Sequence, residues 1–249
     1  MGGDWQQKNY DKIQEYRILE AAGVSIPKWV PVYEGSKPDL SGLSEYVVVK
    51  PSWGGRGAYV RVMRRDKVRY RPIWTDAMKA TSPALIAQEY IHTGAWPVSY
   101  RVGTVFCEPT YMFRSTRNGS SAPFVGDKFD ANFFSGRSIV ATAQGGMRDG
   151  AVPDDVIDLA RKAHRAFPDV PMLGVDVIRD VSSGKLYVTE VNACGRTFQL
   201  ADEPSQRTLQ DFGVDFHKQF GGVKAVARGI CGRLSLNGTG NGKTHGTIV

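Results

Sequence analysis

One stretch, residues 175–195, constrains the fold more than any other part of the chain. Alternating apolar residues on either side of the turn residues 182–184 predict a β-hairpin. Asp176 falls in the first strand, and Glu190 and Asn192 fall in the second. Because side chains two residues apart leave a strand on the same face, Glu190 and Asn192 share a face. If Asp176 lies opposite them, three oxygen ligands converge.

Two carboxylates and an amide are hard ligands, which suit Mg²⁺ held jointly with substrate phosphates. Asp176, Glu190 and Asn192 are therefore a candidate metal site. The alternative is a surface hairpin whose acidic side chains are solvated. The hairpin by itself leaves both interpretations open, and the rest of the chain has to decide between them.

A glycine-rich stretch separates two further predicted strands, residues 46–51 and 58–63. The glycines are Gly54, Gly55 and Gly57. Because a strand rather than a helix follows them, the dinucleotide-binding fingerprint does not apply. Glycines here would let backbone N–H groups close over phosphates, with Lys50 supplying a positive charge. A plain hairpin turn is the alternative.

The remaining chain alternates short strands with helices. Three-to-four spacing of apolar residues predicts helices over residues 4–22 and 153–167, the first ended by Gly23. Other expected elements are a short helix at 73–79, strands at 84–91, 98–107 and 111–115 around a turn at 108–109, and helical pieces within 206–228. Residues 117–128 are expected to form a loop.

Composition excludes several classes of protein. No apolar run approaches the ~20 residues of a membrane span, and the N-terminus lacks the apolar core of a signal peptide. Three cysteines without metal-binding spacing favour a reducing cytoplasm. The formal charge of +7 favours anionic partners such as a nucleotide or an acidic substrate. Nucleic acid is disfavoured, because the basic residues are dispersed apart from the run at 61–71.

The order of these pieces resembles the ATP-grasp superfamily, and within it the branch of glutamate-ligase-like and glutathione-synthetase-like enzymes. The resemblance runs from about residue 11 to residue 192. It is carried by Asp-Lys at 11–12, Val-Lys-Pro at 49–51, Gln-Glu-Tyr-Ile at 88–91, Ser-Tyr-Arg-Val at 99–102, Tyr-Met-Phe-Arg at 111–114, Gly-Val-Asp at 174–176 and Glu-Val-Asn at 190–192.

The resemblance implies an α+β fold in which two α+β subdomains grip ATP between their antiparallel sheets. It divides the chain into an entry helix and linker (1–45), a small lid subdomain (46–92), a C-terminal subdomain with the metal site (93–235) and a flexible tail (236–249). Family members usually carry an N-terminal α/β domain that this sequence mostly lacks. A homo-oligomer or a partner protein is therefore considered as the means of completing the acceptor site.

The resemblance also assigns roles by motif position. Lys12 and Lys50 would contact phosphates under the lid of Gly54, Gly55 and Gly57, and Gln88, Glu89, Tyr90 and Ile91 would hold adenine. Arg101 and Arg114, as catalytic residues, and Asn132, as a nucleotide-binding residue, would face the transferred phosphoryl and the acyl group. Asp176, Glu190 and Asn192 would hold two Mg²⁺ ions, or Mn²⁺ in their place.

The implied activity is that of an ADP-forming carboxylate–amine ligase acting on an amino acid, a peptide or a protein tail. A phosphotransferase of the same fold and a non-catalytic nucleotide-binding module are the alternatives. The family often continues its Glu-Val-Asn motif with Ser-Pro-Gly, whereas residues 193–196 here are Ala-Cys-Gly-Arg. Because that region usually touches substrate, a glutamate or peptide specificity does not carry over.

Overall fold

The structure is a computed structural model that describes residues 10–55, 57–75, 80–94, 96–116, 147–193, 200 and 202–238. Within these residues the helices are α1 (Lys12–Ala21), α2 (Asp154–Arg165), α3 (Glu203–Phe212), α4 (Phe216–Phe220) and α5 (Val223–Gly238). The strands are β1 (Trp29–Tyr33), β2 (Tyr46–Pro51), β3 (Arg61–Arg64), β4 (Trp74–Thr75), β5 (Ala80–Thr81), β6 (Ala84–Glu89), β7 (Val98–Val105), β8 (Glu108–Thr116), β9 (Met147–Asp149), β10 (Met172–Arg179) and β11 (Leu186–Asn192).

Two antiparallel sheets dominate the fold. The small sheet has the strand order β1-β6-β2-β3, and the large sheet has the order β11-β10-β7-β8-β9. Strand β2 is central in the small sheet, which suits its consecutive buried residues Val47, Val48 and Val49. Strands β4 and β5 form a separate two-stranded ribbon. The described elements thus form the α+β fold with two antiparallel sheets that the resemblance implied.

Helices α1 and α2 pack on one face of the large sheet and bury the main hydrophobic core. Helix α2 carries Asp154 and Asp155 in its first turn and basic residues in its last, which complements the helix dipole. Helix α1 begins at a capping box, in which the Asp11 carboxylate accepts from the Gln14 N–H at 2.7 Å. This cap fixes the direction of α1 as it crosses from one sheet to the other.

The opposite face of the large sheet carries a smaller aromatic cluster. Tyr111 and Phe113 of β8 pack there against Phe216 of α4. Gly103 on β7 leaves the space that the Tyr111 ring fills, because a Cβ atom at this position would overlap the ring. Because Gly103 has no side chain, the Tyr111 ring can lie directly over this position of β7.

Several local predictions are confirmed. The strand predicted at 46–51 is β2. Helix α2 falls inside the predicted 153–167, and Gly23 follows α1 with a positive φ of 62°. The 206–228 region forms helical pieces, and the left-handed Gly213 and Gly221 end two of them.

Other local predictions are wrong. Helix α1 begins at Lys12 rather than near residue 4, because Asp11 is its N-cap, and residues 4–9 lie outside the described part. The β7–β8 turn is at residues 106–107, both with positive φ, rather than at 108–109. The short helix expected at 73–79 is contradicted where the structure describes it, since Trp74–Thr75 is a strand. The predicted loop at 117–128 is not among the described residues.

Among the described residues, no helix is both long enough and apolar enough to cross a membrane.

Candidate active site

A cleft of about 220 Å³ lies between the two sheets and joins most of the predicted site residues. Those that line it are Lys12, Lys50, Gly54, Gly55, Gly57, Gln88, Tyr90, Ile91, Arg101, Asp176, Glu190 and Asn192. The small sheet contributes residues from β2, the β2–β3 turn, β6 and the two positions after β6, and the large sheet contributes residues from β7, β10 and β11. Lys12 comes from the first turn of α1. The cleft is thus built by both sheets.

The hairpin of β10 and β11 places the acidic residues together on one wall. Asp176 lies directly opposite Glu190 in the strand register, and Asn192 lies opposite Gly174. The Asn192 amide donates to Asp176 Oδ2 at 3.4 Å. Two carboxylates and an amide therefore converge.

Basic side chains bind these carboxylates directly. Arg101, opposite Asp176 in the register of β7 and β10, donates to its Oδ1 at 2.5 Å and its Oδ2 at 2.8 Å. Lys12 Nζ lies 3.2 Å from Glu190 Oε1 and donates to the Gly54 carbonyl at 2.6 Å. One lysine therefore connects the acidic wall to the glycine-rich turn.

Burial and neighbouring charges act in opposite directions on these groups. Burial raises the pKa of Asp176, which Arg101 only partly counteracts. For Glu190, burial works against ionisation, but Lys12, Lys50 and Arg101 together lower the pKa of the carboxyl below its usual value. Glu190 is thus held as a carboxylate by the positive charges that surround it.

Lys50 occupies the seam between the two sheets. Its Nζ donates to the Tyr16 hydroxyl at 2.9 Å and to the Thr189 carbonyl at 2.9 Å, and it lies 4.8 Å from the centre of the Tyr16 ring. The Tyr16 hydroxyl also lies 2.5 Å from Gln88 Oε1. Burial lowers the pKa of Lys50, although Glu190, Glu15 and Asp176 oppose this effect. Lys50 is therefore fixed beside the acidic strand β11.

Glu15 is a buried acid behind this wall. Its Oε2 atom has no hydrogen-bond partner, and the side chain lies near Glu190, Lys12 and Lys50. Burial first, and the Glu190 charge second, raise the pKa of Glu15 to about 8. The seam therefore contains a carboxyl group that ionises in the physiological range.

The sequence matches the ATP-grasp domain family over residues 9–197. The chain belongs to the ATP-grasp family. A comparison with curated proteins gave no match.

Solved structures with the same fold include three ligases or synthetases. A D-alanine–D-alanine ligase from Bacillus anthracis matches 93% of this chain and 69% of its own, at 16% identity and a TM-score of 0.53. The ATP-grasp ligase PsnB, with a phosphomimetic precursor variant, Mg and ADP, matches 92% of this chain and 58% of its own, at 17% identity and a TM-score of 0.50. The D-cycloserine synthetase DcsG matches 81% and 68%, at 16% identity and a TM-score of 0.50.

Two described residues predicted for the ATP-grasp site, Arg114 and Glu89, do not line the cleft. Arg114 lies opposite Tyr100 in the register, whereas Arg101 lies opposite Phe113, so the two arginines leave opposite faces of the sheet. The Arg114 Nε donates instead to Asp149 Oδ2 at 2.6 Å. Glu89 does not line the cleft, because successive residues of β6 alternate between its two faces. Asn132 lies outside the described residues.

The cleft also uses residues that sequence reasoning missed. Tyr16 could have been found, because it lies four residues after Lys12 and therefore on the same face of α1. Thr189 acts through its backbone carbonyl, for which the sequence carries no signal. Ser99 of the Ser-Tyr-Arg-Val motif also lines the cleft from β7, although the resemblance assigned it no role.

The acidic wall of this ATP-grasp domain fits a magnesium ion by the chemistry of its donors. Mg²⁺ is commonly bound through one or two carboxylates together with substrate phosphates, and Asp176, Glu190 and Asn192 offer that set. Among the described residues, no group of three His, Cys, Asp or Glu side chains forms a complete protein-only metal site. The guanidinium and ammonium groups already bound to the two carboxylates show that this wall attracts positive charge.

Proposed function

We propose that the protein is an ADP-forming carboxylate–amine ligase that uses Mg-ATP to activate a carboxylate and couples it to an amine. The observation that carries the proposal is that two buried lysines, Lys12 and Lys50, and two carboxylates, Asp176 and Glu190, line one cleft between the sheets. Lysines on one side suit a triphosphate, and hard oxygen ligands on the other suit its metal ions.

The ATP would bind along the cleft from β6 to β11. Gln88, Tyr90 and Ile91 would hold adenine, with Val48 and Ile178, which also line the cleft, as apolar walls. The phosphates would reach Lys12, Lys50 and the backbone N–H groups of the turn at 54–57. Asp176, Glu190 and Asn192 would hold two Mg²⁺ ions, or Mn²⁺, which when bound neutralise charge on the phosphates.

The chemistry follows from the poor electrophilicity of a carboxylate. A carboxylate oxygen forms a bond to the γ-phosphorus while the bond from that phosphorus to ADP breaks, which gives an acylphosphate. The amine then bonds to the acyl carbon, phosphate leaves, and the amine proton passes to solvent. Because both reactants of the first step are anions, positive charge from Lys50 and Arg101 is needed to bring them together.

The relatives suggest the class of substrates but not their identity. One is a D-alanine–D-alanine ligase, and another, PsnB, is complexed with a precursor. We therefore propose an amino acid, a peptide or a protein tail as the source of the carboxylate or the amine. The free Cys107 and Cys231 agree with a reducing cytoplasm as the location.

The decisive experiment is an ADP-release assay with Mg-ATP over a matrix of amino acids and amines. A ligase releases ADP and phosphate only when both an acid and an amine are present, and mass spectrometry finds the amide. A phosphotransferase releases ADP with the acceptor alone and leaves a phosphorylated product. A nucleotide-binding module binds ATP in calorimetry without turnover for any pair, and that result would refute the ligase proposal.

A further inference from the structure

The large sheet carries a second arginine on the face that holds Arg101. Arg148 of β9 lies opposite Ser115 of β8, and Ser115 shares its face with Phe113, the register partner of Arg101. Adjacent strands lie about 4.8 Å apart, so the backbones of β7 and β9 are about 10 Å apart. Arg101 and Arg148 therefore lie on the same face of the large sheet, two strands apart.

The surroundings of Arg148 hold its guanidinium in place without neutralising it. The guanidinium lies over the Phe113 ring, 4.5 Å from its centre, and Nη1 donates to the buried Thr208 hydroxyl at 2.5 Å. Among the described residues Arg148 forms no ion pair, in contrast to Arg101 and Arg114, which each bind an aspartate. A guanidinium has five N–H donors, so Arg148 keeps donors for a further acceptor.

The charges around Arg148 favour an anion. Burial first, and the charge of Arg101 second, lower the pKa of Arg148. Tyr111 and Asp202 oppose this effect on the pKa. The Asp202 carboxylate is already engaged as the N-cap of α3, where it accepts from the Ser205 N–H at 3.0 Å. A bound carboxylate would relieve the repulsion between the two arginines and use the donors that Arg148 has left.

We propose that Arg148 binds a non-reacting carboxylate of one substrate, so that the ligase acts on an amino acid or the C-terminal end of a peptide rather than on a simple acid or amine. The proposal rests on the proposed function, whose cleft it extends. Arg148 does not line the ATP cleft, and the triphosphate there has Lys12 and Lys50 as partners, so a nucleotide phosphate is not its ligand.

The first test needs no variant. For the pair of substrates that releases ADP, the carboxylate that does not react is replaced by a carboxamide in each substrate in turn. One of the two replacements should raise its KM about 10- to 100-fold, as expected for loss of a charge-assisted hydrogen-bonded pair. Equal KM values for acid and amide in both substrates, or a productive pair without any such carboxylate, would overturn the proposal.

The second test uses Arg148→Met, which keeps the long side chain over Phe113 but removes the charge. KM for the free acid should rise about 10- to 100-fold, while KM for its carboxamide and KM for ATP stay within about twofold. Arg161→Met is the matched control, because Arg161 lies on α2 and, among the residues that the structure describes, forms an ion pair with Asp158 alone, at 3.4 Å. An unchanged KM for the acid in a folded Arg148→Met protein contradicts the proposal.

A crystallographic test separates this proposal from the proposed function. Crystals of the wild-type protein soaked in sodium sulfate should show an anion at the Arg148 guanidinium, and crystals of Arg148→Met should lack it. If no pair of substrates releases ADP but the sulfate is present, the ligase proposal fails and the anion site stands. If ADP is released and wild-type crystals show no sulfate at Arg148, the anion site fails and the ligase stands.

Discussion

The two sheets present their basic residues to the cleft in different ways. Lys50 of the small sheet is bound by neutral oxygens, the Tyr16 hydroxyl and the Thr189 carbonyl. Arg101 of the large sheet is bound through two nitrogens to the Asp176 carboxylate. Burial accordingly lowers the pKa of Lys50, whereas for Arg101 burial is outweighed by Asp176 and the pKa is raised.

This difference indicates which charges are available to a ligand. The positive charge of Lys50 has no ion-pair partner among the described residues, so an anion gains from reaching it. The positive charge of Arg101 is partly compensated by Asp176, so Arg101 adds less than Lys50 to the attraction of an anion. A metal ion at Asp176 would have to share that carboxylate with the guanidinium. The small sheet thus offers positive charge to a triphosphate, and the large sheet offers oxygen ligands.

The largest effect on turnover is expected from removing one of the negative charges that the large sheet presents to the cleft. Glu190→Gln keeps the size of the side chain but leaves Lys12 without its ion pair and the proposed metal with one carboxylate. We expect turnover to fall by about 10³-fold, the scale of losing one major electrostatic stabiliser of a transition state. ADP release measures the effect, and circular dichroism checks the fold.

The matched control is Glu203→Gln on α3, an exposed glutamate that pairs with Arg207. Its turnover should remain at the wild-type level. Wild-type turnover in Glu190→Gln would remove β11 from the proposed chemistry.

The second prediction concerns the acid behind the wall. Because the pKa of Glu15 is raised from 4.5 to about 8 on folding, the protonated form is favoured in the folded state. Its stabilising contribution is complete below pH 4.5 and is lost as pH rises through about 8. Glu15→Gln should therefore be more stable than the wild type at pH 9 by a few kcal/mol, at about 1.4 kcal/mol per pKa unit, and nearly equal at pH 4.

Thermal melts of both proteins from pH 4 to pH 9 give the comparison, since other titrating groups such as Glu190 and the two lysines are common to both. The difference in Tm should grow between pH 4.5 and pH 8. A difference that does not change with pH would mean that Glu15 has an ordinary pKa.

The residues of the candidate site differ in how far the sequence could predict their positions. Strand periodicity alone placed Glu190 and Asn192 on one face, and Asp176 joined them only if the hairpin paired it opposite. The register of β10 and β11 puts Asp176 opposite Glu190. Lys50 could not be placed beside Thr189 from periodicity, since these residues are 139 positions apart and meet through tertiary packing. The family resemblance assigned Lys50 and Glu190 to the same triphosphate and its metal ions, but it implied no contact with Thr189.

Arg114 shows the opposite limit. Its motif suggested a second catalytic arginine, but strand alternation places it on the other face from Arg101. The register depends on the turn at residues 106–107, where Phe106 and Cys107 both have positive φ. Neither residue is a glycine or an asparagine, which would have marked the turn, and Pro109 led to a turn predicted two residues too late.

The third prediction concerns the Tyr16 hydroxyl, which lies at the seam between the two sheets. Tyr16→Phe removes the oxygen that contacts Lys50 and Gln88, and buried groups are left with fewer partners. We expect a loss of about 1–3 kcal/mol in the free energy of unfolding and a higher KM for ATP, because Lys50 is less well positioned. Loss of stability alone would make Tyr16 a purely structural residue.

Tyr10→Phe is the control, because Tyr10 does not line the cleft. Its ring packs edge-on against Phe167, with 5.4 Å between the ring centres. Denaturant unfolding and ATP kinetics should both stay at their wild-type values. An ATP KM that rises equally in both variants would contradict a special role for the Tyr16 hydroxyl.

The smallest expected effect concerns His164 of α2 and should be independent of the cleft. His164 is buried, with its Nδ1 accepting from the Cys107 N–H at 3.2 Å and its Nε2 at 2.8 Å from the Val170 carbonyl, which defines a neutral Nε2–H tautomer. Burial lowers the pKa of His164 below 6.5, so its stabilising contribution is present above pH 6.5 and is lost as pH falls through the folded-state value.

Relative to His164→Gln, the wild type should therefore lose about 2–4 °C in Tm on acidification. This loss should be the same with and without Mg-ATP. The control is His217→Gln on the exposed face of α4, which should not change the pH dependence. If saturating Mg-ATP abolished the pH dependence, the core around α2 would be coupled to the cleft, and this prediction would be wrong.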